Sequence, residues 1–415
     1  MRLQLDLVRL LLSLSDWLDW SQHGITNHHK QVAFASLSLG KEIGLDNDSL
    51  SKLFKAASIH DIGAVTWSEK LSLTRFDLEH TRPHCKRGQY FVSKSNLLSH
   101  LGTTILHHHD TWSGSNPEGV RGGDIPLLAR IIHLCDRVAI LISHDDHVLN
   151  QRRRIVSRIR DLSGTAFDPE LVEAFESLAQ RESFWLDLAQ PSLGFQLDFL
   201  APVKLITSTA TELGDLAEVM AYAVDAKSRF TYRHSHGVAT VARFLAELAG
   251  FDSERRTLLE IAGLLHDLGK LTVPEAILEK PGALTPAEVS WIRQHTYYTY
   301  WFLLPAGIDQ EMTEWAAFHH ERLDGRGYPF GVGADRLELE HRIVAVADIF
   351  TALREDRPYR RPMQWEHIAR ILTSQAKSGG IDGDVVNALL SEADALEELW
   401  SQLSAKLAPM LTAEV

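Results

Sequence analysis

RHSHGVATVARFLAELAG, residues 233–250, shows the type of secondary structure from which this chain is built. Between Gly237 and Leu248 the apolar residues recur every three or four positions, which is the period of an α-helix with one buried face. IVAVADIFTAL, residues 343–353, has the same period, and the alternating runs typical of strands are nearly absent. The sequence therefore predicts an all-α fold, or one close to it.

The chain contains this pattern twice. NHHKQVAFASLSLGKEIG (27–44) resembles the opening stretch and pairs His28 with His234. SIHDIGA (58–64) then matches LLHDLGK (264–270). In both copies 32 residues separate the first histidine from the histidine of the His-Asp pair. Equal spacing at several positions is improbable by chance, and it indicates one ancestral unit present in two copies.

The two copies define the predicted domains. HHHDTWSGSNP (107–117) matches FHHERLDGRGYP (318–329), and in both copies another histidine lies 24 residues before the matched pair. We predict tandem helical domains at residues 1–195 and 203–415 that contact each other. Their boundary is expected in the Pro- and Gly-containing segment near residues 189–204.

Composition excludes several classes of protein. The net charge of -13 argues against DNA or RNA as the main partner, because phosphate neutralisation needs a basic surface. With only two cysteines, Cys85 and Cys135, a disulfide framework is not expected and a reducing cytoplasm is. The apolar run in residues 1–20 is short and interrupted by charges, so it predicts an amphipathic helix rather than a membrane span or signal peptide.

The C-terminal half concentrates residues that can bind metal. Five imidazoles and two carboxylates can hold two divalent cations, with one carboxylate as a bridge, and spacing does not choose among iron, manganese, nickel, cobalt and zinc. An aspartate beneath apolar residues is costly to bury unpaired, which favours a ligand role over a structural one. The candidate ligands are His234, His266, Asp267, His295, His319, His320 and Asp348.

The motifs HSHGVA, HDLGK, HHERLDGRGYP and VADIFTALREDRPYR together closely resemble the HD-GYP phosphodiesterases, a branch of the HD metal-dependent phosphohydrolases. The resemblance covers residues 234–361 and is specific as a set. It implies a bacterial signalling enzyme that opens a 3',3'-cyclic dinucleotide, either cyclic di-GMP or cyclic GMP-AMP. Attack of a metal-bridging hydroxide on one phosphodiester would give a linear 5'-phosphorylated dinucleotide.

The same resemblance implies how the ligands are divided. One metal would be held by His234, His266, Asp267 and Asp348, and the second by His295, His319 and His320 with Asp267 as the bridge. Some family members bind a third metal through a glutamate four residues before the first histidine. That position is Phe230 here, so two metals are expected.

Further residues fit a phosphate ester substrate. Lys270 can place a cation near the scissile phosphate, which makes it a candidate catalytic and substrate-binding residue. Arg357 and Arg360 can each donate two parallel hydrogen bonds to a phosphate or to the edge of a guanine base. Gly327 would allow close backbone approach to the ligand, and Tyr328 would stack or hydrogen-bond there. The alternative for the lysine and the arginines is a solvated surface charge.

The N-terminal copy keeps every candidate ligand and loses the substrate groups. Its possible metal site comprises His28, His60, Asp61, His84, His108, His109 and Asp136, with His107 an ambiguity in the triple histidine. Ala64 replaces Lys270, SGSNP replaces the DGRGYP loop, and Asp145 replaces Arg357. We therefore expect this domain to bind metal without turnover and to regulate or support the other. Cys85 and Cys135 flank its ligands; buried inert thiols are favoured over a redox or metal-sensing role.

Two functions of different classes remain. The first is a cyclic dinucleotide phosphodiesterase, with cyclic GMP-AMP and cyclic di-GMP weighed about evenly. The second is a non-catalytic receptor that binds a cyclic dinucleotide and signals to a protein partner. A receptor would be expected to have lost a ligand or Lys270, and this chain has lost neither.

Overall fold

The computed structural model describes residues 2–21, 24–76, 81–143, 145–202, 206–227, 233–355 and 362–412. These residues are mostly helical and divide into two compact units, one at Asp6–Ile206 and one at Thr207–Glu414 together with Met1–Leu5. The prediction of an all-α fold is confirmed. The four strands in the described part are short and pair in twos, β1 (Arg2–Leu5) with β4 (Ile206–Thr209) and β2 (Trp20–Ser21) with β3 (Gly24–Ile25).

The first unit contains eleven of the described helices. They are α1 (Leu7–Leu18), α2 (His28–Glu42), α3 (Asn47–Ser58), α4 (Trp67–Leu73), α5 (Arg82–Val92), α6 (Gly102–Leu106), α7 (Leu127–Ile140), α8 (Val148–Arg160), α9 (Pro169–Leu178), α10 (Glu182–Leu188) and α11 (Leu193–Leu200). Two 3-10 turns lie at Ser99–Leu101 and Gly122–Asp124.

The second unit contains the other described helices. They are α12 (Ala210–Asp225), α13 (His234–Leu248), α14 (Ser253–Leu265), α15 (Glu275–Leu278), α16 (Pro286–Leu303), α17 (Gln310–Ala317), α18 (Leu339–Arg354), α19 (Trp365–Lys377), α20 (Gly383–Ser391) and α21 (Ala393–Thr412). A 3-10 helix at Leu268–Thr272 follows α14 directly.

The helix that the sequence predicts within residues 1–20 occupies Leu7–Leu18. α1 starts at Leu7, because the Asp6 side chain accepts a hydrogen bond from the Arg9 amide and caps it. Residues 2–5 form β1 instead. The helix is also buried on nearly all sides, with Leu7, Leu10 and Leu11 each at most 2% exposed. Although charged residues interrupt its apolar run, α1 thus belongs to the core of its unit.

Corresponding helices of the two units carry corresponding ligands. The first histidine is the first residue of α2 in one unit and of α13 in the other, and the His-Asp pair follows α3 and α14. The next histidine lies in α5 and α16. The histidine pair follows α6 and α17, and the last aspartate lies in α7 and α18. Local signals repeat as well, since Asp46 caps α3 through the Ser49 amide and Asp252 caps α14 through the Arg255 amide. In each unit the first of these helices packs against the second and the last.

Glycine at the turn after each His-Asp pair allows two ligand segments to meet. A Cβ on Gly63 would lie 2.0 Å from the His84 carbonyl oxygen, and a Cβ on Gly269 would lie 1.9 Å from the His295 carbonyl oxygen. No side chain fits at either position, so only glycine lets the backbone of the third histidine pack against this turn. The glycine therefore positions a ligand that is distant in sequence.

Candidate metal centre

The seven candidate ligands of the C-terminal half come together in the structure. Ligand atoms of His234, His266 and Asp348 all lie within 4.8 Å of one another, and the same holds for His295, His319 and His320. His234 Nε2 lies 3.1 Å from Asp348 Oδ1. The side chains are buried except that of His320, which is 30% exposed. The structure thus contains two adjacent ligand groups.

Asp267 lies between these two groups and faces both. Its Oδ2 is 3.2 Å from His266 Nε2 and 3.4 Å from His234 Nε2. Its Oδ1 is 3.4 Å from His295 Nε2 and 4.0 Å from His319 Nε2. One carboxylate with an oxygen directed at each histidine group is the arrangement required of a bridging ligand.

Three imidazoles are held in the tautomer that ligates through Nε2. Each donates Nδ1–H to the carbonyl oxygen three residues earlier, over 2.6 to 2.7 Å. The lone pair of each Nε2 then points into the site. The pairs are His266 with Gly263, His295 with Ile292, and His319 with Ala316.

In this tautomer the buried Nε2 atoms have no hydrogen-bond donor, and a bound cation would provide them with a partner. His295 Nε2 and His319 Nε2 lie 3.1 Å apart, and neither carries a proton for the other when both Nδ1 atoms donate to the backbone. His266 Nε2 is fully buried and has no hydrogen-bond partner. Buried polar atoms left without a partner are costly, and divalent metal would satisfy all three. The residues present therefore fit a metal centre.

Electrostatics keep His295, His319 and Asp267 in the protonation states that metal binding needs. Burial lowers the pKa of His295 to about 3 and holds that of His319 well below its usual range. Burial alone would raise the pKa of Asp267, but His266 and Lys270 outweigh it and hold that pKa well below the usual value. Neutral imidazoles and an ionised carboxylate are the ligating forms.

Glu355 contacts a candidate ligand and was not predicted from the sequence. Its Oε2 lies 2.9 Å from His234 Nδ1, and the side chain is buried. Burial opposes protonation of His234, yet Glu355 and Asp348 raise the pKa of that imidazole to about 9. The sequence offers a weak signal for this residue, because Glu355 follows Asp348 by seven positions, about two helical turns, and lies directly after the end of α18.

Lys270 reaches the site, as the sequence predicts. It lies in the 3-10 helix Leu268–Thr272, and its Nζ forms an ion pair with Asp267 Oδ2. The side chain is 14% exposed, so its ammonium group is close to the ligands and also near solvent. A cation at this place can contact a phosphate oxygen next to the bridging carboxylate.

The loop after the histidine pair is held by Glu321. Its carboxylate accepts hydrogen bonds from the amides of Phe330, Gly331 and Val332 over 2.7 to 3.2 Å. The structure shows why position 327 is glycine: a Cβ there would lie 2.4 Å from the Glu321 Cα. The close approach thus involves the chain itself, and contact of Gly327 with a ligand stays a prediction.

Tyr328 lies beside the ligands. Its ring centroid is 5.0 Å from that of His320, and the Arg293 guanidinium lies 4.4 Å from the tyrosine ring centroid. The ring therefore packs against the more exposed ligand of the second group. Arg357 and Arg360 lie outside the described residues, as does Phe230, so their predicted roles stay predictions.

The seven candidate ligands of the N-terminal half also come together. His84 Nε2 and His108 Nε2 each lie 3.1 Å from Asp61 Oδ1, and His28 Nε2 lies 3.1 Å from Asp136 Oδ1. The three other ligand contacts are His60 Nε2 at 3.4 Å from Asp61 Oδ2, His109 Nε2 at 3.7 Å from Asp61 Oδ1, and His109 Nδ1 at 3.7 Å from Asp136 Oδ2. His107 instead contacts Asp110 Oδ2 over 2.6 Å, so the structure favours His108 as the ligand.

Arg137 distinguishes the N-terminal centre, and sequence reasoning missed it. Its Nη2 donates to Asp136 Oδ2 over 2.7 Å, and the buried guanidinium also donates to the Arg75 carbonyl. Asp348, the counterpart of Asp136, is followed by Ile349. Asp136 is therefore paired with a buried arginine, whereas an apolar residue stands at the corresponding position beside Asp348.

Comparison with known proteins agrees with this architecture. Models described as "HD domain" match residues 25–141 and 218–385. The chain is 30% identical over 383 residues to 3'3'-cGAMP-specific phosphodiesterase 1 of Vibrio cholerae serotype O1, covering 90% of this chain and 88% of the relative. It is 31% identical to 3'3'-cGAMP-specific phosphodiesterase 3 of the same organism, covering 81% and 74%.

Other relatives match a smaller share. The cyclic di-GMP phosphodiesterase response regulator RpfG of Xanthomonas campestris pv. campestris is 35% identical over 52% of this chain and 56% of its own length. The crystal structure of the Vibrio cholerae cyclic GMP-AMP phosphodiesterase V-cGAP3 superposes with a TM-score of 0.65 at 24% identity, covering 95% of this chain and 98% of that one. This likeness shows the fold. None of the described helices has the length and hydropathy needed to cross a membrane.

Proposed function

This chain belongs to the HD-GYP family of HD-domain phosphodiesterases, and we propose that its C-terminal domain hydrolyses 3',3'-cyclic GMP-AMP. The observation that carries the proposal is Asp267, whose two oxygens face separate histidine groups while Lys270 contacts the same carboxylate. Both relatives described above that match across the two domains are named for this substrate. The relative named for cyclic di-GMP matches about half of the chain.

The ligand set supports two divalent ions rather than one. His234, His266 and Asp348 would hold the first ion, and the second would lie among His295, His319 and His320, with Asp267 shared between them. Two bound ions would supply Lewis acidity to the phosphate and lower the pKa of a water between them. Two carboxylates against two divalent ions leave the site positive, which suits an anionic diester.

The protein side chains then have separate tasks. Lys270 binds a nonbridging phosphate oxygen and stabilises the negative charge that develops on the phosphate. Glu355 orients His234 by accepting its Nδ1–H. Tyr328, whose ring is tilted against that of His320, would contact the bound dinucleotide beside the second ion.

Retention of every ligand and of Lys270 at the site favours an enzyme over a receptor. A protein that only binds the dinucleotide would be expected to have lost a ligand or Lys270. We further propose that the N-terminal domain does not turn over this substrate, because Ala64 leaves no cation beside Asp61 and Arg137 already occupies one oxygen of Asp136.

Product analysis tests the substrate. Purified full-length protein loaded with Mn²⁺ or Fe²⁺ would be incubated with 3',3'-cyclic GMP-AMP, cyclic di-GMP and cyclic di-AMP in parallel, beside an Asp267→Ala variant. We expect linear product from 3',3'-cyclic GMP-AMP and none from the variant. Turnover of cyclic di-GMP alone would contradict the substrate assignment, and metal-loaded protein that turns over none of the three would favour the receptor.

A further inference from the structure

Cys85 lies inside the N-terminal ligand group rather than beside it. Ligand atoms of His84, Cys85, His108 and His109 all lie within 4.8 Å of one another, and all four residues are buried. Cys85 Sγ is 3.5 Å from His84 Nε2. The thiol therefore occupies a place from which it can bind the same ion as the three histidines.

The distance between sulfur and nitrogen matches a shared metal ion. Zinc binds cysteine sulfur at about 2.3 Å and histidine nitrogen at about 2.0 to 2.1 Å, so at a tetrahedral angle the two ligand atoms are about 3.5 Å apart. The observed separation of 3.5 Å between Cys85 Sγ and His84 Nε2 agrees with this value. A thiol that only fills space in a core has no need of this geometry.

A second observation at the same place indicates a missing ligand. Both ring nitrogens of His109 are buried without a hydrogen-bond partner, and the side chain is 3% exposed. A cavity of about 570 Å³ lined by Cys85, His109 and Asp110 reaches this group. An ion thus has unsatisfied nitrogen ligands to bind and a route by which to enter.

The C-terminal centre lacks this group. Thr296 occupies the position that corresponds to Cys85, directly after His295, and its hydroxyl donates to the Arg293 carbonyl over 3.2 Å. A neutral hydroxyl engaged in that way is a poor ligand for a divalent ion. The sulfur ligand is therefore a property of the N-terminal centre.

We propose that Cys85 is a thiolate ligand of the ion held by His84, His108 and His109, which makes this half of the N-terminal centre a sulfur and nitrogen site that selects Zn²⁺. On binding, the Sγ–H bond breaks, an Sγ–metal bond forms and the proton goes to the buffer. Together with Asp61 Oδ1, which lies 3.1 Å from both His84 Nε2 and His108 Nε2, these four residues would surround the ion with protein ligands and leave no open position for water, as in structural rather than catalytic zinc. This inference is independent of the substrate proposed for the other domain.

Cobalt substitution tests the proposal on the full-length chain. Metal-free protein would be titrated with Co²⁺, and the near-ultraviolet charge-transfer absorption that thiolate ligation gives to Co²⁺ would be recorded. The chain has two cysteines, so the signal is specific to them whatever the C-terminal centre binds. Cys135→Ser is the matched control, because Cys135 is also buried in this unit and next to a ligand position.

We expect the absorption band in the wild type and in Cys135→Ser, and its loss in Cys85→Ser. We also expect the affinity for Zn²⁺ to be at least about tenfold weaker in Cys85→Ser than in Cys135→Ser. Absence of the band from cobalt-loaded wild type, or its survival in Cys85→Ser, would overturn the proposal. Should Cys85→Ser not fold, alkylation of the wild type gives the answer. Zn²⁺ is expected to slow modification of Cys85 at least about tenfold relative to Cys135, and equal effects on both thiols would overturn it.

Discussion

The two centres of this protein have the same seven ligand types in the same order, and they differ in what surrounds those ligands. In the C-terminal centre Lys270 contacts the Asp267 carboxylate and is near solvent. In the N-terminal centre Arg137 is buried against Asp136. We expect the ligands to determine whether a metal binds, and the surrounding charges to determine whether an anionic substrate binds beside it.

Further differences fall in the surroundings of the ligands. Each of these differences changes a residue next to a candidate ligand or in contact with one, and none of them removes a candidate ligand. The two copies have thus kept the buried cluster, whose partial loss would leave unpaired polar groups, and differ in the residues that we propose contact substrate. The pairs that differ are Lys270 and Ala64, Thr296 and Cys85, Glu355 and Ser143, and Ile349 and Arg137.

The largest expected difference between the centres follows from changing the bridging carboxylate. Asp267→Asn should lower kcat at least about a thousandfold, because the amide cannot bridge two ions and stabilisation of the developing charge is lost. Asp61→Asn, the same change in the other centre, should lower kcat less than about threefold. Initial rates of linear dinucleotide formation measure both.

Metal content and thermal unfolding of both variants provide the control. If Asp61→Asn is folded, keeps metal in the C-terminal centre and nevertheless loses most of its activity, the N-terminal centre takes part in catalysis. The division into one catalytic and one supporting domain would then be wrong.

The next largest effect concerns the cation beside the bridge. Lys270→Ala should lower kcat about a hundredfold, the typical result of removing one group that stabilises developing charge. Lys270→Arg should recover part of the activity, since it keeps the charge but not the ammonium geometry. An Ala64→Lys variant of the Asp267→Asn protein should remain inactive, and activity there would show that the cation alone separates the two centres.

A smaller effect is expected from the residue that orients the first histidine. Glu355→Gln should weaken metal binding by about tenfold, because a neutral amide no longer stabilises the Nδ1–H of His234. Activity at saturating metal should recover to within about threefold of the wild type. Titration of activity with Mn²⁺ separates this from a catalytic role, in which excess metal would leave the loss unchanged.

Much of this architecture could be predicted from the sequence, because ligands leave strong local signals. Helical period, the His-Asp pair and the equal 32-residue spacing fix the helices and the ligands in both halves. The glycine after each His-Asp pair is also visible in the sequence, although the reason for it, the carbonyl of His84 or His295 against the turn, appears only in three dimensions.

The surroundings of the ligands could not be predicted in the same way. Arg137 and Glu355 look like ordinary surface charges in the sequence. The Arg137 guanidinium is held beside Asp136 by the distant Arg75 carbonyl, and Glu355 meets His234 across 121 positions of the chain, so both arrangements depend on tertiary packing. Cys85 was expected to be an inert thiol, since a cysteine next to a histidine on a helix has no preferred direction. Its proximity to three imidazoles depends on the approach of α5 to the segment after α6.

The smallest expected effect concerns the DGRGYP loop of the C-terminal centre, which SGSNP replaces in the N-terminal half. Glu321→Gln removes one of two oxygens that together accept three backbone amides, so the loop should lose about 1 kcal/mol of stabilisation. We expect KM for the dinucleotide to rise about fivefold with kcat unchanged, because the metal ligands are untouched and the loop beside Tyr328 is less well ordered. Asp335→Asn, an exposed change in the same loop, is the control and should leave KM unaltered. A fall in kcat at constant KM would instead place Glu321 among the groups that support the metal ligands, since His320 directly precedes it in the chain.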